Sequence, residues 1–150
     1  MVSVVVRRGT LDDAEWILEE LPAFSDFAGT KFPLFEDPAH VRRMLHAVIQ
    51  DHLVFVATRG QERLGFIAGI AQQHPFNPRI RVLTEQLWWV PQQHRGSRAG
   101  AMLFQAFVEW GENNVDWISF GLEAHSPVRD AVFTRRGFRL QERVFLKEVH

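Results

Sequence analysis

The residues best placed to do chemistry in this chain lie between Val90 and Gly100, in the run Val-Pro-Gln-Gln-His-Arg-Gly-Ser-Arg-Ala-Gly. This run joins an apolar, strand-like segment, Leu87-Trp88-Trp89-Val90, to an amphipathic stretch that begins near Ala99. A strand that turns through small residues into a helix leaves several backbone N–H groups unpaired and aimed at one point. Together with the positive end of the helix dipole, those donors make a seat for phosphate. Arg95 and Arg98 add two positive charges at the same place. Two arginines at a helix N-terminus oppose the dipole unless an anion joins them, so the stretch predicts a pyrophosphate-bearing ligand.

Other reactive side chains narrow the chemistry mostly by exclusion. The seven histidines (His40, His46, His52, His74, His94, His125 and His150) show no ligand spacing such as H-E-x-x-H, and no metal is expected. With no cysteine, disulfides, thiolate metal sites and a cysteine nucleophile are ruled out. Thirteen Phe and five Trp accompany no Tyr at all, so no phenol can act as acid or base. In Trp88-Trp89, adjacent strand residues face opposite sides. One then packs on the core and the other lines a cleft, or both are buried. Phe24, Phe27, Phe32 and Phe35 read as the floor of a pocket or as packing under a long loop. Arg42-Arg43 and Arg135-Arg136 read as solvated helix charges.

Elements must position these groups, and the hydrophobic period supplies them. Val2, Val4 and Val6 alternate as a first strand ending at Arg7-Arg8-Gly9. Thr10 followed by Asp13 has the form of a capping box, predicting a helix from Leu11 with Ala14, Ile17, Leu18 and Leu21 inward, stopping before Pro22. Ala23 to Pro38 reads as a long connection, the kind that is often functional. Asp37-Pro38 then looks like the N-cap and first residue of a second helix, with Val41, Met44, Leu45 and Val48 as its buried stripe. Leu53–Thr58 and Arg63–Ala71 form a hairpin around the turn at residues 59–62. Arg79 to Val90 makes an extended strand, and Ala99 to Glu112 a helix with Met102, Leu103, Ala106, Phe107 and Trp110 on one side. Trp117–Leu122 is strand-like, Pro127–Arg136 a short helix ended by Gly137, and Arg139–Val149 a closing strand.

At 150 residues the chain reads as a single domain, residues 1–150, able to bury a real core. It is 46% hydrophobic and 23% charged, as soluble globular proteins are. Its net charge of −1 gives no basic field for nucleic acid. No apolar run approaches the ~20 residues that span a bilayer. The first residues carry their charges after the apolar run, the wrong order for a signal peptide. These features fit a cytoplasmic protein. A mixed element order around an antiparallel hairpin predicts an α/β (α+β) sandwich of helices on one sheet.

In this order the elements and motifs resemble the GCN5-related N-acetyltransferase (GNAT) superfamily over nearly the whole chain. Val6-Arg7-Arg8-Gly9-Thr10-Leu11-Asp12-Asp13-Ala14 looks like that family's first strand running into its first helix. The family motif Gln/Arg-x-x-Gly-x-Gly/Ala after the fourth strand is matched by Arg95-Gly96-Ser97-Arg98-Ala99-Gly100, preceded by Val90-Pro91. Late in the chain, Ser126, Phe133 and Gly137-Phe138 fall in register with the family's Asn, aromatic and Gly-Phe.

The resemblance implies a mixed, mostly antiparallel central sheet of six to seven strands flanked by about four helices. It implies acetyl-CoA as co-substrate and an amine acceptor, small molecule or protein. The backbone of Trp88, Trp89 and Val90 would pair with pantetheine, and Arg95, Gly96, Ser97, Arg98, Ala99, Gly100 and Ala101 would hold the pyrophosphate. Glu85 lies where the family often places the base for the amine, and reads equally as a solvent-facing strand residue; Glu123 is a second candidate.

Two positions depart from the pattern. Arg98 stands at the motif's first Gly, where its N–H serves if the local φ is negative. Phe133 stands where many members carry a tyrosine that protonates the leaving thiolate. A thiol of pKa about 8.5 leaves tolerably without a strong acid, and water, Ser126 or His125 would supply the proton. Absence of that tyrosine supports a second reading, a coenzyme A-binding sensor or interaction module without catalysis. An exposed final strand would allow pairing across a homodimer.

Overall fold

The computed structural model describes residues 2–31 and 33–150, so Phe32 lies outside the described residues. One sheet runs through the molecule in the order β1-β2-β3-β4-β5. Its strands are β1 (Val4–Arg8), β2 (Leu53–Arg59), β3 (Glu62–His74), β4 (Asn77–Trp89) and β5 (Trp117–Ser119). The first three pairings are antiparallel and the last, β4 with β5, is parallel. Helices α1 (Ala14–Ala28) and α2 (Pro38–Asp51) cover one face; α3 (Ala99–Asn114) covers the other, with a short α4 (Asp130–Thr134) near the end of the chain.

Alternation along the strands explains the two cores. Val54, Val56, Phe66, Leu87 and Trp89 point towards Ile17, Leu21, Val41 and Leu45 of α1 and α2. Leu53, Ala57, Leu64, Ile67 and Leu83 point the other way, onto Leu103 and Phe107 of α3. A bulge shifts the β3–β4 register between Ala68 and Gly69, where Ala68 faces Leu87 but Gly69 faces Glu85. That extra residue reverses the facing of β4, sending Leu83 to the α3 core and Leu87 to the α1 core.

The predicted boundaries change at both ends of α1, and β5 ends at Ser119 rather than Leu122. α1 begins with a 3-10 turn at Leu11–Asp13 and continues through Pro22 to Ala28, rather than stopping before the proline. Pro22 is exposed, and the helix beyond it is held because Phe24 and Phe27 pack against Trp89 at ring distances of 5.8 and 6.0 Å. Packing of that kind outweighs the missing hydrogen bond. In α2, Asp37 caps as expected, its side chain accepting from the His40 N–H, with Pro38 in the first turn. Met44 is 40% exposed, and Ile49 joins the buried stripe instead.

The sheet has five strands where six to seven are expected, because residues 139–150 form no strand. A strand exists only through its neighbour, and β5, only three residues long, offers too short an edge to hold one. Leu140, Val144, Phe145, Leu146 and Val149 of this segment stay exposed.

Candidate active site

β3 pairs β4 from Arg81 to Trp89, apart from the bulged Gln86, but β5 covers the other edge only at Val82, Leu83 and Thr84. From Glu85 to Trp89 that edge has no strand beside it. The two strands therefore part after Thr84 and Ser119, on the side of β4 that leads to the loop before α3. Backbone groups along this free edge are available to an extended ligand.

Glu85 is the first residue past the parting, and it is partly buried. Burial raises its pKa to about 7. The nearby Gly121 amide opposes that rise by favouring the charged form, and the negative charge of Glu123 adds to it. A carboxyl poised near neutrality at the mouth of a cleft can take up and release a proton under ordinary conditions.

Trp88 and Trp89 leave β4 on opposite faces, as strand geometry requires. Trp88 stacks on Phe104 at 5.4 Å, in a cluster with Phe120, Phe133 and Phe138 between α3 and α4. Phe133 is thus a packing ring, 5.4 Å from both Phe104 and Phe120. Trp89 is buried against α1 and its indole N–H donates to Glu20 at 3.2 Å.

Beyond Val90 the chain makes a 3-10 turn at Gln92–His94 and reaches α3 through Gly96, whose φ is 89°. That left-handed conformation is one a side chain would strain. Arg98 is the N-cap residue with φ −81°, so the condition for its N–H to serve the loop is met. Ser97 turns inward: its hydroxyl donates to the His94 carbonyl at 2.6 Å and accepts from Ala99 N–H at 3.3 Å. The N–H groups of Gly96, Arg98, Gly100 and Ala101 have no backbone or side-chain acceptor among the described residues. A methyl at Gly100 would meet only Val90, at 3.6 Å, so the protein's own packing does not demand a glycine in this first helical turn. Four free donors beside an unexplained glycine fit a pyrophosphate resting on the helix.

The two arginines part company. Arg98 borders a cavity of about 330 Å³ near the start of β1, together with Arg59. Arg95 folds back the other way: its Nε donates to the Val90 carbonyl at 3.0 Å, and its guanidinium lies 4.8 Å from the Trp89 ring and 5.9 Å from Phe27. Its charge rests on the α1 side of the loop, a direction that sequence spacing does not reveal.

His125 and Ser126 follow β5, and His125 reaches α1. His125 is exposed; its Nε2 donates to the Phe27 carbonyl at 2.6 Å and its ring lies 4.7 Å from that of Phe27. The Ser126 hydroxyl accepts from Val128 N–H at 3.3 Å. The His125 bond ties the segment after β5 to the end of α1, while the Ser126 bond is local to that segment.

A second cavity, of about 420 Å³, opens between the later half of α1 and this loop, lined by Glu20, Asp26, Phe27, Trp89 and Arg95 among others. Glu20 and Asp26 are absent from the sequence-derived candidates. Their signal is the spacing Glu20, Ala23, Phe27, one helical face, which is hidden once the helix is stopped at Pro22. Among the described residues no group of three or more His, Asp or Glu could hold a metal, and no helix is long and apolar enough to cross a membrane.

No family model matches the sequence, and no curated protein matches it. Solved structures do match the fold. A predicted acetyltransferase from Clostridium acetobutylicum, solved with acetyl-CoA, has a TM-score of 0.76 at 12% identity, over 97% of this chain and 96% of that one. A possible acetyltransferase from Clostridium difficile 630 has a TM-score of 0.73 at 14% identity, over 99% of both chains. An aminoglycoside acetyltransferase from an uncultured soil metagenomic sample, in complex with sisomicin, has a TM-score of 0.69 at 15% identity, over 98% of this chain and 97% of that one. The chain shares the fold of these solved acetyltransferases. At these identities the likeness speaks for the fold alone.

Proposed function

We propose that the protein is an N-acetyltransferase that moves an acetyl group from acetyl-CoA to an amine. The observation that carries this reading is the pairing of two features on one strand. The parting of β4 and β5 at Glu85 lies four residues before a loop with free N–H groups at the head of α3. Neighbouring folds solved with acetyl-CoA and with an aminoglycoside support the same choice of co-substrate and acceptor class.

In this reading Gly96, Ser97, Arg98, Ala99, Gly100 and Ala101 form the pyrophosphate seat, with Arg95 at its edge. The backbone of Trp88, Trp89 and Val90 lines the pantetheine arm, with the Val90 carbonyl held by Arg95, and Phe133 packs the wall behind it. When bound, the thioester supplies the acetyl group and leaves with its sulfur. The chain must therefore accept one proton from the amine and allow one to reach the thiolate. Glu85, held near neutrality by its burial, takes the amine's proton. Ser126 and His125, in the segment that follows β5, and water are the groups assigned to return a proton. Alignment of the two reactants along a rigid strand supplies much of the rate.

The test is release of free thiol from acetyl-CoA with a panel of amines, alongside the melting temperature with coenzyme A. Thiol release from at least one amine is expected. Stabilisation without release from any acceptor would favour a coenzyme A-binding sensor, a reading supported by the missing tyrosine. No stabilisation at millimolar coenzyme A would sink both.

A further inference from the structure

We propose that the cavity between α1 and the β4–α3 loop is a subsite for a second positive charge on the acceptor. The substrate class is then an amine carrying at least two separated cationic groups. The inference rests on the transferase reading above and adds the acceptor's chemistry.

The cavity has about 420 Å³ of space. Two carboxylates line it, Glu20 and Asp26, and neither belongs to an ion pair among the described residues. Its apolar corner is made by Phe27 and Trp89, whose ring centroids lie 6.0 Å apart at 55°. Glu20 fixes that corner by accepting the Trp89 indole N–H. A corner of two rings beside two carboxylates is the chemistry that recognises an organic cation.

The protein already shows such a cation in place. The Arg95 guanidinium lies over both rings, at 4.8 Å from Trp89 and 5.9 Å from Phe27. One arginine against two carboxylates leaves the cavity short of positive charge. Arg95 is also the residue immediately before the free donors at Gly96, Arg98, Gly100 and Ala101. An anion seated there draws Arg95 off the rings, because a phosphate attracts a guanidinium more strongly than a ring face does. The vacated corner is then open to the acceptor.

Geometry sets the span. Glu85 and Trp89 are four residues apart on β4, roughly 13 Å at about 3.3 Å per residue and somewhat less across the bulge. The bulge turns Glu85, the cross-strand partner of Gly69, to the α3 face and Trp89 to the α1 face, so an acceptor that meets both must pass through the parting of β4 and β5.

The experiment compares α,ω-diamines of increasing length with the monoamine of each length, in the full-length protein and in Asp26→Asn. Thiol release gives kcat and KM, and calorimetry gives diamine binding with and without coenzyme A. Long diamines are expected to exceed their monoamines in kcat/KM by about tenfold, chiefly through KM. Asp26→Asn should remove most of that advantage while keeping its melting shift with coenzyme A. Coenzyme A should strengthen diamine binding, and Arg95→Ala should bind the diamine without that help. Equal kcat/KM for diamine and monoamine at every length would overturn the subsite, as would an undiminished advantage in Asp26→Asn. Binding that is indifferent to coenzyme A in the unaltered protein would overturn the exchange with Arg95. Should no amine be acetylated, diamine binding lost in Asp26→Asn would leave the subsite standing and the transferase reading fallen. Absence of diamine binding would remove the subsite.

Discussion

Asp13 accepts from Arg63 Nε at 2.8 Å, which ties the first turn before α1 to β3 fifty residues later. The same fully buried carboxylate takes two hydrogen bonds from Arg7 on β1, each 2.8 Å, and one from the Thr10 N–H at 2.8 Å. One side chain thus fastens β1, β3 and the start of α1. Burial works against its charge, but the Arg7 pair, the Thr10 amide and Arg63 together hold it well below the usual carboxylate range.

Asp13→Asn keeps the shape but leaves two arginines facing a neutral group. The loss should be about 3 kcal/mol, as for a buried ion pair deprived of one partner. Chemical denaturation measures it. The pH dependence has a definite sign: a depressed folded pKa gives stability that is full above the unfolded value of about 3.9 and lost as pH falls below it. The variant should lack this acid-side loss, and a denaturation midpoint that falls equally in both proteins below pH ~4 would contradict the assignment.

Glu85 works in the opposite direction. Its folded pKa of about 7 lies above the ordinary value of 4.5, so the folded state holds a proton that the unfolded state has released. Its stabilising effect is present below the unfolded pKa and fades as pH rises through about 7. Glu85→Gln should flatten that decline in melting temperature between about pH 4.5 and 7. It should leave the coenzyme A melting shift intact and cut kcat by a factor on the order of 10²–10⁴, the usual worth of a general base. In the unaltered enzyme kcat/KM should rise to a plateau through about pH 7, with that limb absent in the variant. Unchanged turnover in Glu85→Gln would remove the residue from the mechanism.

Gly100→Ala separates fold from ligand. The added methyl meets only Val90 at ordinary contact distance, and alanine is the better helix former by about 0.5–1 kcal/mol. The free protein should therefore melt at the same temperature or higher. A pyrophosphate lying against that turn would be pushed away, so the melting shift with coenzyme A should shrink. An undiminished shift would place the ligand elsewhere.

Much of this was written locally. The Asp37-Pro38 start of α2, the 3-10 turn opened by Thr10 and Asp13, the hairpin of β2 and β3, and the loop from Val90 to Gly100 all depend on residues within a few positions of one another. Backbone conformation there is set by caps, turns and side-chain period, which a sequence displays directly. Other features depend on what lies across the molecule. α1 runs past Pro22 because Phe24 and Phe27 find Trp89, more than sixty positions away. The segment 139–150 reads as a closing strand and stays outside the sheet, since β5 gives it too little edge to pair with.

The sequence by itself determined that a helix would begin near Ala99 behind a loop of small and basic residues, and that neither a phenol nor a thiol is present. Only the tertiary structure decided which way Arg95 and Arg98 would point, and that Glu85 would stand at the parting of two strands with its pKa raised. The reason is physical: a turn is fixed by its own few dihedral angles, whereas a side chain's direction and desolvation are fixed by groups that folding brings to it.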